Sequence, residues 1–172
     1  MACNLTEGIS KGCRDNAGGI VEAYIGNMPS GYTGNEWYSV SGGTITSISG
    51  LTLYQFVPTK NSSSFSHEIQ SSVETGGIGY THSLNLVFAK NSADMRNTIK
   101  LLGEATTIAI VRDKNEKYWL LGPQNGLELT AGNGGTGVSL GDLNGWNITL
   151  SSDEPHPAFE VSAGIIDGLL AS

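Results

Sequence analysis

The segment SSSFSHEIQSSVETGGIGYTHSLNLVFAK, Ser62 to Lys90, decides how the rest of the chain is read. Gly76-Gly77 separates two runs of alternating character, and a Gly-Gly pair suits a two-residue primed turn because both positions tolerate φ > 0. With that turn, Phe65, His67, Ile69, Ser71 and Val73 fall opposite Phe88, Leu86, Leu84, His82 and Tyr80. The other face collects Ser64, Ser66, Glu68, Gln70, Ser72 and Glu74 against Ala89, Val87, Asn85, Ser83, Thr81 and Gly79. One face is mostly apolar; the other is short, hydroxylic and acidic.

Arms of 12 residues each, 64–75 and 78–89, are long beside a usual strand of about 5–6. At about 3.3 Å per residue each spans roughly 40 Å, more than a chain of this size needs for its own core. A lone two-stranded ribbon is marginal in water, and its free edges invite pairing. Two readings follow. The hairpins of several copies pair edge to edge around a polar interior, or the hairpin is an ordinary part of a sandwich with one solvated face.

A length of 172 residues fits one domain. Only 15% of residues are charged and 24 are Gly. With many short alternating runs, that composition points to an all-β protein with generous turns. Nine basic residues against 16 acidic ones leave a net charge of −7, the wrong sign for a phosphate-binding surface. No apolar run approaches a membrane helix, and MACNLTEGISKGC lacks the apolar core of a signal peptide, so folding in a cytoplasm is the expectation. Cys3 and Cys13, with no His or Cys cluster beside them, read as free thiols there, a bridge between them being the other reading. Asn4-Leu5-Thr6, Asn61-Ser62-Ser63 and Asn147-Ile148-Thr149 then match the glycosylation pattern by chance.

Residues 1–16 are polar and unpatterned, an arm; 17–162 carry the strands; 163–172 are an apolar tail. GIVEAYI (19–25) is a first strand, and Asn27–Gly43 is a loop with Met28, Tyr32, Trp37 and Tyr38. Aromatics in such a loop either cover the domain's own core or anchor in a neighbour. TITSIS (44–49) and LTLYQFVP (51–58) are strands broken at Gly50, the second apolar on both sides and hence expected to be buried on both. Ser92–Leu102 is the one helix. Asn91 or Ser92 caps it, Met95, Ile99 and Leu102 form a stripe that lies against a sheet, and Gly103 serves as a left-handed stop. Thr106–Val111 and Lys117–Leu121 form a second hairpin around the charged, solvated turn Arg112–Glu116. Gly126–Thr130 is a short strand, Ala131–Gly141 a mobile Gly-rich loop without phosphate-cradle spacing, and Asn144–Ser151 the last clear strand. Strands, one helix, then strands make a mainly β sandwich or barrel with one flanking helix. The terminal Ile165, Ile166, Leu169 and Leu170 need a cover, and the next subunit is preferred over the chain's own domain.

No catalytic or metal constellation assembles, and no cofactor is expected. His67 and His82 stand four residues apart in the expected register, about 13 Å at ordinary strand rise, too far to share a metal. His156 is boxed between prolines, and nucleophile-elbow, H-E-x-x-H, C-x-x-C and EF-hand spacings are absent. Glu68 and Glu74 lie beyond the separation that glycosidase carboxylates use. Binding or assembly remains, and the chain is not expected to be an enzyme.

The order of elements resembles the tail-tube family of tailed bacteriophages and related tail or neck rings: early strands, the long hairpin 62–90, the helix 92–102, the second hairpin 106–121 and a late strand. Asp142-Leu143-Asn144-Gly145-Trp146-Asn147-Ile148-Thr149-Leu150-Ser151, followed by Asp153-Glu154-Pro155, is similar to the Gly-aromatic-x-Ile-Thr-Leu ending, then acid and proline, of such proteins from phages of Bacteroides-like hosts. The likeness covers residues 17–162; the long Gly-rich segment and the apolar C-terminal tail depart from it. The resemblance implies a virion protein made in the host cytoplasm, assembling into six-fold rings that stack on one another and on other tail or neck proteins. It implies an inter-subunit barrel through which genomic DNA passes without specific binding, and no membrane. Glu68, Gln70, Ser72, Glu74, Thr81, Ser83 and Asn85 would line that lumen. Phe65, Ile69, Val73, Tyr80, Leu84, Leu86 and Phe88 would pack outward, while Trp37, Tyr38, Ile165, Ile166, Leu169 and Leu170 would contact neighbouring subunits. The alternative is a capsid decoration or surface carbohydrate-binding sandwich using Trp37, Tyr38 and the Gly loop.

Overall fold

The computed structural model describes residues 4–30 and 36–171. The chain runs through β1 (Ile20–Asn27), β2 (Tyr38–Ser41), β3 (Thr44–Ile48), β4 (Tyr54–Phe56), β5 (Ser64–Ser72) and β6 (Gly77–Ala89). After these come α1 (Ala93–Glu104), β7 (Thr107–Asp113), β8 (Tyr118–Leu121), β9 (Glu128–Gly135), β10 (Gly145–Glu154) and β11 (Phe159–Val161). Two short 3-10 turns, Ala163–Ile165 and Asp167–Leu169, close it. Seven strands form one sheet in the order β2-β3-β11-β8-β7-β1-β4, and four form a second in the order β5-β6-β10-β9. The fold is thus mainly β, sandwich-like, with one helix.

Alternation builds the inter-sheet core. Leu84 and Leu86 of β6, Ile148 and Leu150 of β10, Ala23 and Ile25 of β1, and Ala109 and Val111 of β7 meet there, joined by Ile99 and Leu102 of α1. Each fully buried Leu or Ile is worth about 1.5–3 kcal/mol relative to an exposed one. The seven-stranded sheet has a second buried face. Ile108 and Ile110 of β7 point there with Tyr24, Ile45, Leu51, Leu53, Leu120 and Val161. This two-sided burial is why the TIAIV run of β7 is continuously apolar.

That second face corrects two expectations. Trp37 and Tyr38, expected to contact a neighbouring subunit, are 1% and 6% exposed and belong to this core, with Tyr38 starting β2 inside the stretch read as a loop. The C-terminal residues are not a tail awaiting another copy. Ile166 is buried, Ile165 and Leu169 pack against the same cluster, and Leu53 N–H donates to Leu169 O at 2.8 Å while Ala171 N–H donates to Leu53 O at 2.8 Å. Leu170 bridges Leu53 and stays partly exposed. An apolar C-terminus rooted by β11 beside β3 and β8 has its own sheet face within reach, so it covers that face.

Four smaller differences have local causes. Leu51 and Leu53 are buried but Tyr54 and Val57 face solvent, since β4 is an outer strand and nothing described lies beyond it. The helix runs through Gly103 to Glu104, and its last N–H bonds come from Ala105 to Leu101 O. Its start is as read, with Ser92 Oγ accepting from Met95 N–H at 3.2 Å. β9 takes in residues 131–135 of the presumed Gly-rich loop. Trp146 lies flat across Gly134, where a Cβ would sit 2.5 Å from the indole, so Gly is what the pairing of Gly134 with Trp146 requires. β10 runs on to Glu154, three residues past the expected end. Among the described residues, no helix is long and apolar enough to cross a membrane.

Candidate interface: a polar sheet face and an overhanging ribbon

The long hairpin closes differently from the Gly-Gly expectation. Ser72 pairs with Gly77, and a four-residue turn, Val73–Gly76, joins them, with Ser72 Oγ accepting from Thr75 N–H. Gly76 takes the left-handed conformation (φ 68°), but Gly77 already opens β6. Phe65 therefore pairs with Leu84 rather than Phe88, and Ile69 with Tyr80. The shift is even in number, so every residue keeps its face. It also sets His67 directly opposite His82 rather than four residues away.

The hairpin is not a free ribbon along its length. β6 pairs with β10 from Ala89 to Tyr80 and is a central strand. Leu84, Leu86 and Phe88 are buried in the chain's own core, with Phe65 packed against it. Only beyond Tyr80 does β10 leave. There β5 and β6 project as a two-stranded ribbon, and the core-side residues Ile69 and Ile78 are 66% and 63% exposed, with Val73 in the turn at 95%. Ile69 and Val73 were expected to pack outward on a sandwich; the sandwich ends before it reaches them.

The opposite face of this sheet is mostly polar across all four strands, Val87, Ala89 and Ala131 being its apolar members. Glu68 and Gln70 of β5 stand by Thr81 and Ser83 of β6 and their neighbour Asn85. β10 adds Asn147, Thr149, Ser151 and Asp153 in register, and β9 adds Glu128, Thr130 and Asn133. Thr81 Oγ1 donates to Asp153 Oδ1 at 2.6 Å, and Asn85 Nδ2 donates to Asn147 Oδ1 and Thr149 Oγ1 at 3.0 and 3.2 Å. Ser151 Oγ donates to Thr130 Oγ1 at 3.2 Å, where a bulge turns β9. None of the four strands contains Lys or Arg. The expected set Glu68, Gln70, Thr81, Ser83 and Asn85 is thus gathered on one face; Ser72 ends it and Glu74 sits in the turn. The β9 and β10 members were missed, although Asn147, Thr149 and Ser151 alternate with Trp146, Ile148 and Leu150 and could have been read by the same rule.

One edge of the sheet, β5, has no partner among the described residues beyond β6, and the other edge, β9, has none beyond β10. A buried polar knot fixes the base of the ribbon. His82 is sealed from solvent, with Gly122 N–H donating to its Nδ1 at 3.3 Å and its Nε2 bonded to His156 O at 2.9 Å. The Nδ1 acceptor role makes Nε2–H the donor, hence a neutral ring. Burial above all depresses the pKa of His82; the His156 carbonyl and the Glu154 carboxylate oppose that, and the facing His67 adds to it. Glu154 accepts from Gln124 and Asn125 N–H at 3.1 and 2.9 Å and from Ser152 Oγ at 2.8 Å. His82 and Glu154 thereby tie the backbone of Gly122, Gln124, Asn125 and His156 to the base of the ribbon.

Among the described residues, no three His, Cys, Asp or Glu side chains gather to hold a metal ion. Cys13 is an exposed free thiol, and Cys3 and Tyr32 lie outside the described residues. The surface aromatics a sugar-binding reading would use, Trp37 and Tyr38, are buried. Comparison with protein-family models, curated proteins and solved structures finds no match.

Proposed function

We propose that the chain is a structural subunit of a phage tail tube or a related tail or neck ring, acting by assembly and not by catalysis. One observation carries the reading: a four-stranded sheet whose two edges find no strand partner among the described residues buries one face on its own core and turns to solvent a polar, acidic face whose strands hold no Lys or Arg. Unpaired edges are templates for pairing. Joining β5 of one copy to β9 of the next continues the sheet, and six copies, the number the family resemblance implies, close it into a barrel with the polar face inward. Its partners are then other copies, adjoining tail or neck proteins, and DNA in transit. A wall of hydroxyls, amides and carboxylates offers no counter-charge to phosphate, so a duplex passes without being held.

The test reverses the wall's charge without touching the edges' backbone. Glu68→Lys with Glu128→Lys keeps the strands and should leave rings intact, while DNA release from particles carrying the variant slows and becomes steeply salt-dependent. Release kinetics identical to the unaltered particle, with rings formed, would remove the channel from the account.

A further inference from the structure

Deepening the ring reading, we propose that copies stack pole to pole, the Thr136–Asn144 loop of one seating under the overhanging ribbon of the next. Two poles, each with uncovered aliphatic side chains on fixed backbone, lie at opposite ends of β6. At about 3.3 Å per residue, the span from Gly77 to Ala89 separates them by roughly 40 Å.

At the Ala89 end, the pairs Gly145–Ala89 and Gly145–Gly135 anchor the loop. Val138 and Leu140 on it are fully exposed, at 101% and 107%. The loop is nevertheless ordered. Val138 and Ser139 N–H both donate to Asp142 Oδ2 at 2.8 Å, and Asp142 N–H returns a bond to Ser139 O at 3.1 Å. Gly137 supplies the left-handed residue the turn needs (φ 69°). Those amide bonds hold the Asp142 carboxyl below its ordinary pKa, so the brace stays ionised. A backbone ordered in advance to display Val and Leu to water has little ordering cost left to meet on docking.

At the Gly77 end, the ribbon offers Ile69, Ile78 and Val73 on its underside. Past Tyr80, β6 has lost β10, leaving the Gly77–Gly79 edge open beside a cleft of about 680 Å³ lined in part by Ile78, Tyr80, Gln124 and Pro155. The charges complement each other. Exposed Glu74 marks the ribbon turn, and exposed Lys60, Lys90 and Arg96 outnumber the carboxylates Asp94 and Asp142 at the loop pole; among the described residues Glu74, Lys60, Lys90 and Arg96 form no ion pair. Thr59 places Lys60 there, its Oγ1 accepting from Ala89 N–H at 3.1 Å, and Lys90 N–H donates to Asn144 O at 2.7 Å. Within one molecule the two poles cannot meet, so the occupant is a second copy. Unlike surfaces join, so the contact is head to tail, and because the two poles lie at opposite ends of β6 it repeats along that direction.

The experiment uses the full chain with Cys3→Ser and Cys13→Ser. Ile78→Cys and Val138→Cys, made in separate chains and mixed under mild oxidation, should give a disulfide-linked dimer; Val138→Cys mixed with Ser41→Cys should not. In micrographs, Val138→Ser with Leu140→Ser should lose stacks and keep single rings, as should Lys90→Glu, with Glu74→Lys restoring stacks to the latter. Single rings without the Ile78–Val138 cross-link, or stacks of unchanged length in the double-serine variant, overturn the axial contact alone. A chain that stays monomeric and never cross-links overturns this contact and the ring together.

Discussion

His82 is bonded on both ring nitrogens only as the neutral tautomer, Nδ1 accepting from Gly122 N–H and Nε2–H donating to His156 O. Protonation breaks the Gly122 bond inside a site without water access. With the folded pKa depressed below 6.5, the unfolded chain binds more protons over the interval between the two values. The contribution of His82 is fully present above pH 6.5 and is lost as pH falls through the folded value. Urea unfolding on either side of pH 6.5 should show stability dropping on the acid side, and His82→Gln should flatten that drop while lowering stability at neutral pH. The Glu154 carboxylate and His67, which face the ring, both stay in the variant, so an unaltered pH dependence would clear His82 of the effect.

The elements were legible to the degree that local pattern determines them. Thr81 to Leu86 sends Leu84 and Leu86 to one side and Thr81, Ser83 and Asn85 to the other, and these faces survive a shift in register because the shift is by an even number of residues. Turn chemistry was the weaker guide. Gly76-Gly77 signals a two-residue turn, yet the chain uses a longer one that leaves Ile69 opposite Tyr80. β9 was invisible past Thr130 because Gly132 and Gly134 make room for Ile148 and the ring of Trp146, a demand made by a strand that follows it in the chain. The fate of Trp37 and Tyr38 depended on the second buried face of the first sheet, which strands and turns distant in sequence assemble together. Gly103 separates the two readings experimentally. A left-handed stop would make Ala there strained. The helical position found here puts the new Cβ at 3.4 Å from Leu129 Cδ2, ordinary contact. Gly103→Ala should therefore stabilise the chain, by up to about 1 kcal/mol, as a higher urea midpoint; a lower midpoint would restore the left-handed stop.

For the molecule as a whole, the distribution of charge and oil separates what the single chain satisfies from what it leaves open. Its core, its helix and its C-terminus are settled internally. The β5 and β9 edges, the ribbon underside and the loop bearing Val138 and Leu140 are not. All nine basic residues lie off the four-stranded sheet, which leaves one broad acidic face on a chain of net charge −7. Such a segregation is intelligible when that face becomes the inside of something larger. The direct measurement is negative-stain microscopy of the purified full-length chain, with class averages of single particles. The account predicts annuli with a stain-filled centre, alone or piled into short tubes. Compact particles the size of one chain, at concentrations where sedimentation shows no association, would contradict it.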